Sequence, residues 1–321
     1  MKAQEKMDRM IEIFSKMNEK SKWTDDRVLM MAASVYVVKN RPFEVDRYIE
    51  LCDYIKEETG VFSYLKSTMR FTVAAWLDTR FDDPKSAFRK YSEVYETMIS
   101  KGFKRTPFTY IAALVMLEHH DDLDDWISRA LTVYERMKQE HPFITSKDDY
   151  PLAVVLSEGE GEIDPLIEGM EEIYSGLHKK GFMVGNNLQF MSHMLSMDKE
   201  HSTSDLIDRV VHISDQMKRA SLKVKGMHYP DVGLLVLMDD VNRLDDIRTV
   251  RDQLNKTSKY RWHRDLNYKL AVQIVLSDSL DQLEMTETSL LTSMEVIMQA
   301  QQTTMMAGAI GVAATADGGG A

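Results

Sequence analysis

The sequence contains a single cysteine, Cys52, in 321 residues. That excludes an internal disulfide framework and a cysteine-rich zinc site, and it fits a reducing compartment. Long apolar runs are missing as well. No stretch reaches the roughly 18 residues needed to span a bilayer. The first residues, Met1-Lys2-Ala3-Gln4-Glu5-Lys6, lack the apolar core of a secretory signal. A cytoplasmic location is therefore expected. A glycine-rich phosphate loop, a paired-histidine zinc helix and a nucleophile elbow are all absent. Positive charge is in deficit, with 40 Lys and Arg against 51 Asp and Glu and a net charge of −11. The whole molecule is thus not expected to be drawn over long range to nucleic acid or an anionic membrane. A local basic surface stays open.

What the sequence does have is a repeat. Val94-Tyr95-Glu96-Thr97-Met98, Val133-Tyr134-Glu135-Arg136-Met137, Ile173-Tyr174-Ser175-Gly176-Leu177 and Ile213-Ser214-Asp215-Gln216-Met217 recur about every 40 residues, the range of stacked helical arrays. Each is followed by an aromatic and, three places later, by a mostly small residue: Tyr110 and Ala113, Tyr150 and Ala153, Phe190 and His193, Tyr229 and Val232. Weaker copies lead to Met30 and Ala33, Phe71 and Ala74, and Tyr268 and Ala271. That makes seven units over residues 1–278.

Each unit reads as two helices. In the third, apolar Ala87, Tyr91, Val94, Tyr95 and Met98 recur at spacings of three and four, which predicts one amphipathic helix from Pro84 to Lys101. Gly102 is its stop. Thr106-Pro107 is a capping hydroxyl followed by a proline at the first helical position of the second helix. The alanine column marks where the two helices cross closely. The expected fold is all-α: a right-handed superhelix of about seven antiparallel helix pairs, tetratricopeptide-like, closed by a capping helix around Leu290–Met298. One domain is expected over 1–300, with a disordered Gly/Ala-rich tail over 301–321.

Charge is segregated by turn. The second-to-first turns are acidic, as in Asp121-Asp122 with Asp124-Asp125, and Asp239-Asp240 with Asp245-Asp246. The first-to-second turns are basic, including Lys104 and Arg105, and Lys223 and Lys225. Opposite acidic and basic edges follow if the units stack. Acids at helix starts and bases at helix ends also complement the helix dipole, which is a sufficient structural reason for much of this pattern.

Candidate chemistry is sparse. His119-His120-Asp121-Asp122 is a metal-like string, but neighbouring side chains on a helix point about 100° apart and further ligands cannot be assigned. His193 stands in the alanine column, where Ala74, Ala113, Ala153 and Ala271 stand in other units. With Asn186, Asn187 and Gln189 it marks a mid-array departure from the pattern and a candidate binding site. A paired core histidine is the plainer account of His193. Cys52 sits among apolar neighbours in a helix and reads as packing.

The segments Phe103-Lys104-Arg105-Thr106-Pro107-Phe108-Thr109-Tyr110-Ile111-Ala112-Ala113-Leu114, Arg70-Phe71-Thr72-Val73-Ala74-Ala75 and Asn186-Asn187-Leu188-Gln189-Phe190-Met191-Ser192-His193 resemble an uncharacterised bacterial family, the domain of unknown function numbered four thousand and three. The resemblance covers most of the chain. It implies a bacterial cytoplasmic protein and brings no activity, cofactor or catalytic residue. In outline the unit also resembles tetratricopeptide and pentatricopeptide pairs, but it is longer and lacks the tetratricopeptide Trp-Leu-Gly-Tyr pattern.

The functional expectation is a non-enzymatic scaffold or regulator that binds a protein or peptide along a concave surface and a basic edge. No cofactor, nucleic acid or membrane partner is expected. The alternatives are a metal-dependent hydrolase using the His/Asp string and an RNA-binding array. The latter needs base-reading positions repeated on successive helices, and here those positions are apolar.

Overall fold

The computed structural model describes residues 2–117, 122–158, 161–239 and 241–283. Among these residues there is no strand, and fourteen α-helices follow one another. They are α1 (Ala3–Lys20), α2 (Asp26–Val38), α3 (Val45–Glu58), α4 (Met69–Arg80), α5 (Pro84–Lys101), α6 (Pro107–Met116), α7 (Leu123–Glu140), α8 (Tyr150–Leu156), α9 (Ile163–Lys179), α10 (Asn186–Leu195), α11 (Thr203–Arg219), α12 (Tyr229–Leu237), α13 (Leu244–Leu254) and α14 (Arg264–Leu283). Each odd-numbered helix packs on the even-numbered helix after it. The pairs are antiparallel. Asn18 near the end of α1 bonds Asp26 at the start of α2, and Arg9 near the start of α1 reaches Asn40 just beyond α2, both at 2.9 Å.

The local signals act as their chemistry requires. The Asp83 carboxylate accepts from the Ser86 N–H at 3.0 Å and caps α5, which starts at Pro84. At the other end of α5, Gly102 adopts φ 121°, a conformation that favours glycine. Thr106 caps α6 through the Thr109 N–H. The α5 stripe Ala87, Phe88, Tyr91, Val94, Tyr95 and Met98 is buried, and the residues between it face water. The even helices differ. Every residue from Thr109 to Met116 in α6, and from Tyr150 to Leu156 in α8, is buried. A helix apolar on all sides belongs inside, so the even helices form an inner layer and the odd helices an outer one. The alanines Ala74, Ala113, Ala153 and Ala271 are completely buried in the inner layer. Gly176 in α9 meets a close approach of the neighbouring pair, because a Cβ there would lie 2.3 Å from Ile207 Cδ1 of α11.

Neighbouring pairs are joined by a recurring contact. From the second pair on, the turn after the odd helix reaches the first turn of the next pair's even helix. Ser63 bonds the Tyr110 hydroxyl at 2.9 Å, the Lys104 N–H donates to Tyr150 at 3.4 Å, and the Met183 N–H donates to Tyr229 at 3.0 Å. Between the fourth and fifth pairs the Gln189 amide donates to Thr145 at 2.7 Å. The sixth turn meets the seventh pair through Lys225 and Asp265 at 3.3 Å.

The seventh turn repeats this contact on the first pair. Lys259 Nζ donates to Asp26, the first residue of α2, at 3.1 Å and to Asn18 at 2.8 Å. Tyr260 packs edge-on to Phe14 with centroids 5.3 Å apart, and Lys6 of α1 donates to Ser277 of α14 at 2.5 Å. α14 packs on α2, and α1 packs on α13 and α14. The seven pairs therefore close into a ring. The superhelix expected from the repeat thus returns on itself. An open array leaves an apolar face bare at each end and needs caps; here each end covers the other. The segment expected to form the capping helix, and the 301–321 tail, lie outside the described residues.

Candidate docking rim

In a ring of antiparallel pairs, all the odd-to-even turns fall on one rim. They comprise residues 21–25, 59–68, 102–106, 141–149, 180–185, 220–228 and 255–263. They contain eleven lysines and arginines against three aspartates. In sequence, the even-to-odd connections 39–44, 81–83, 117–122, 157–162, 196–202 and 238–243 contain thirteen acidic residues against four basic ones. Among the described residues of these connections nine acids stand against four bases, so the rim opposite the basic one is acidic.

A second property of the basic rim was not legible from charge. Among the described residues, the large apolar side chains standing most exposed are Trp23, Val61, Phe62, Tyr64, Phe143, Met183, Val184 and Trp262. All eight lie on the odd-to-even turns. Trp23, Phe62 and Phe143 have essentially their whole side chains in solvent. The helices bury their apolar stripes, so these residues are not leftovers of an amphipathic pattern. The bases between them are partly free. Arg105 makes a two-pronged pair with Glu96 at 3.0 and 2.9 Å, and Lys180 pairs with Asp208 at 3.1 Å. Lys22, Lys104, Lys147, Lys223, Lys256 and Arg261 are exposed and form no ion pair among the described residues.

The four basic candidates, Lys104, Arg105, Lys223 and Lys225, are all exposed on this rim. The second candidate group divides. Asn186 and Asn187 are exposed at the start of α10, next to Met183 and Val184, whereas Gln189 and His193 are buried. Gln189 is spent on the seam to Thr145. His193 keeps no hydrogen-bond partner on Nδ1, and burial drives its pKa down to about 3, so it is neutral. Of the metal-like string, His119, His120 and Asp121 lie outside the described residues. Asp122 precedes α7 with φ 51°.

A further repeated column comes to light one place before each aromatic: Arg70, Thr109, Asp149, Gln189, His228 and Asn267. Most reach back to their own turn. Arg70 donates to the Lys66 and Ser67 carbonyls, His228 Nδ1 lies 2.7 Å from the Lys223 carbonyl, and Asn267 donates to the Tyr260 carbonyl at 2.8 Å. These groups shape the rim from beneath. Asp149 accepts from the Ser146 N–H at 2.9 Å, yet burial raises its pKa to about 7. Reading the repeat column by column, not only at its apolar positions, would have exposed this device.

One buried polar group is not part of that column. Asp231 in α12 is 1% exposed, and neither carboxylate oxygen has a hydrogen-bond partner. Its pKa rises to about 6 by desolvation, opposed by the charge of Lys269 in α14. Nearby, Tyr268 stacks on His228 with centroids 4.1 Å apart. An open cleft of about 720 Å³ lies elsewhere, at the closing seam, between the first turn of α1 and α13. Among the described residues no three His, Cys, Asp or Glu side chains are grouped to hold a metal ion, and no helix is long and apolar enough to cross a membrane.

Among the described residues the chain is an all-helical protein built of helix pairs. It belongs to the family described as protein of unknown function (DUF4003), whose model matches residues 13–303. It is 34% identical over 307 residues to the uncharacterised protein YeaA of Bacillus subtilis (strain 168), covering 93% of this chain and 92% of that one. No solved structure matches it.

Proposed function

We propose that the chain acts by binding and not by catalysis, as a scaffold or regulator whose docking face is the odd-to-even rim. One observation carries this reading: eight exposed apolar side chains and a surplus of bases share a single rim. Exposed apolar surface bordered by charge marks interaction sites, and a coherent basic field raises encounter rates with acidic partners. The concave surface expected of stacked helix pairs does not serve here, because the inner helices are buried. A partner would meet the rim instead, placing acidic groups on Lys104 and Lys223 and apolar groups against Trp23, Phe62, Phe143 and Trp262.

The test is retention of partners from native bacterial lysate by the purified protein beside a variant with Trp23, Phe62, Phe143 and Trp262 all changed to Ser. Trp23, Phe62 and Phe143 are fully exposed and Trp262 mostly so, so circular dichroism should be unchanged. A partner held by the native ring and lost by the variant supports the reading. Equal retention by both removes the rim from it.

A further inference from the structure

The rim's geometry and chemistry together define its occupant more closely. We infer that the odd-to-even rim docks on the anionic surface of a lipid bilayer. This inference rests on the reading of that rim as the docking face.

The apolar side chains are arranged as separate points. Trp23, Phe62, Phe143, Met183 and Trp262 lie on five different turns, and the bases lie on and between them. A protein hot spot is a contiguous cluster packed into a pocket and sealed by its neighbours. Trp23, Phe62 and Phe143 are fully exposed on three different turns, with no more than short neighbouring groups such as Val61 and Tyr64, and offer no such cluster. A bilayer interface takes up each aromatic ring independently at headgroup depth. A closed ring also suits a flat target, since its turns lie around one rim and can touch down together. An open superhelix would distribute the same turns along a spiral.

The charges give the same answer. Bases close to an anionic leaflet each add attraction at short range, and that attraction is confined to within a Debye length of about 8 Å. Six exposed bases without ion pairs stand on this rim. The net charge of −11 does not oppose it, because the acidic surplus belongs to the opposite connections and to the outer helices. Repulsion of that side orients the ring basic rim down. No span is needed, and the helices supply none. The expectation of no membrane partner came from whole-molecule charge and the missing span; neither bears on a local rim.

The experiment is co-sedimentation of the full chain with vesicles of phosphatidylcholine alone and of phosphatidylcholine mixed equally with phosphatidylglycerol. Tryptophan emission is followed in parallel. Binding is expected only with phosphatidylglycerol, weakening as salt rises, with a blue shift that Trp23→Phe with Trp262→Phe abolishes. Each of Lys22, Lys104, Lys147, Lys223, Lys256 and Arg261 changed to Glu should lower partitioning roughly five-fold or more. The four-serine variant should bind weakly and remain fully salt-sensitive. Glu in place of the exposed lysines Lys90 and Lys138 on the outer helices should have little effect.

Absence of binding to the mixed vesicles, equal binding to both compositions, or binding indifferent to the rim variants would each overturn the inference. If vesicles fail while the four-serine variant still loses a lysate partner, the rim docks a protein and the membrane inference alone falls. If vesicles fail and the variant keeps every partner, both readings fall.

Discussion

Asp231→Asn should stabilise this protein at neutral pH and lose that advantage in acid. Asp231 is completely buried with neither oxygen hydrogen-bonded, and its pKa moves from the ordinary 3.8 to about 6. The folded state therefore favours the neutral acid. A pKa raised on folding contributes stability that is complete below the unfolded value and is lost as pH rises through the folded value. For Asp231 the window runs from about 4 to about 6. Above it the folded chain bears the cost of a buried charge that has no hydrogen bond and is only partly offset by Lys269. A shift of about two units corresponds to about 3 kcal/mol at 1.36 kcal/mol per unit. Asparagine keeps the size and removes the charge. Valine, alanine and leucine stand in the equivalent place at Val73, Ala112 and Leu152, so the inner layer accepts a neutral residue there. Urea unfolding of both proteins at pH 4.5, 6 and 8 measures the effect. Asp149, raised to about 7, is common to both and cancels in the difference. The variant's advantage should grow from pH 4.5 to pH 8 and approach about 3 kcal/mol. A difference independent of pH, or a wild type more stable at pH 8, would refute the argument.

The remaining predictions concern other buried groups and the seam. His193, held neutral with a pKa lowered from 6.5 to about 3, loses the fold stability as pH falls below 6.5, because only the unfolded chain takes up the proton. His193→Val, the residue that Val232 places in the next pair, should retain about 2 kcal/mol more of its neutral-pH stability at pH 5, read from denaturation at pH 7 and pH 5. Phe14→Ala removes the edge-on contact with Tyr260 at the closing seam and should cost about 3–5 kcal/mol. Because the seam joins both ends of the chain, hydrogen exchange should quicken in α14 as well as in α2; quickening confined to α1 and α2 would contradict closure. Cys52 is buried, with its thiol pushed up to about 12, so a thiol reagent should label it only at the rate at which the chain unfolds. Rapid labelling of the native protein would show that α3 opens locally.

The sequence by itself determined the local structure. The repeat of Val94-Tyr95, Val133-Tyr134 and Ile173-Tyr174 set the helix pairs, because apolar residues at spacings of three and four can share a face only on a helix. Gly102, Thr106 and Pro107 placed the ends of α5 and α6, since each acts through its own backbone and its immediate neighbours. The charge of the turns was legible for the same reason, and so Lys104, Arg105, Lys223 and Lys225 were found before the fold.

What only the tertiary structure decided depends on residues far apart in the chain. Ring closure rests on Lys259 meeting Asp26 and Phe14 meeting Tyr260, and nothing in a local pattern fixes the small rotation between successive pairs that brings them together. Closure in turn buries both ends of the array against each other and gathers the turns onto one rim. The exposed Trp23, Phe62 and Phe143 looked like ordinary apolar residues in sequence. Only the packed structure shows that the stripes pass them by and leave them in water. The separation of Asn186 and Asn187 from Gln189 and His193 follows the repeat, since Gln189 and His193 stand in columns that are buried in nearly all the other pairs, and only the packed seam shows that Gln189 is bonded to Thr145.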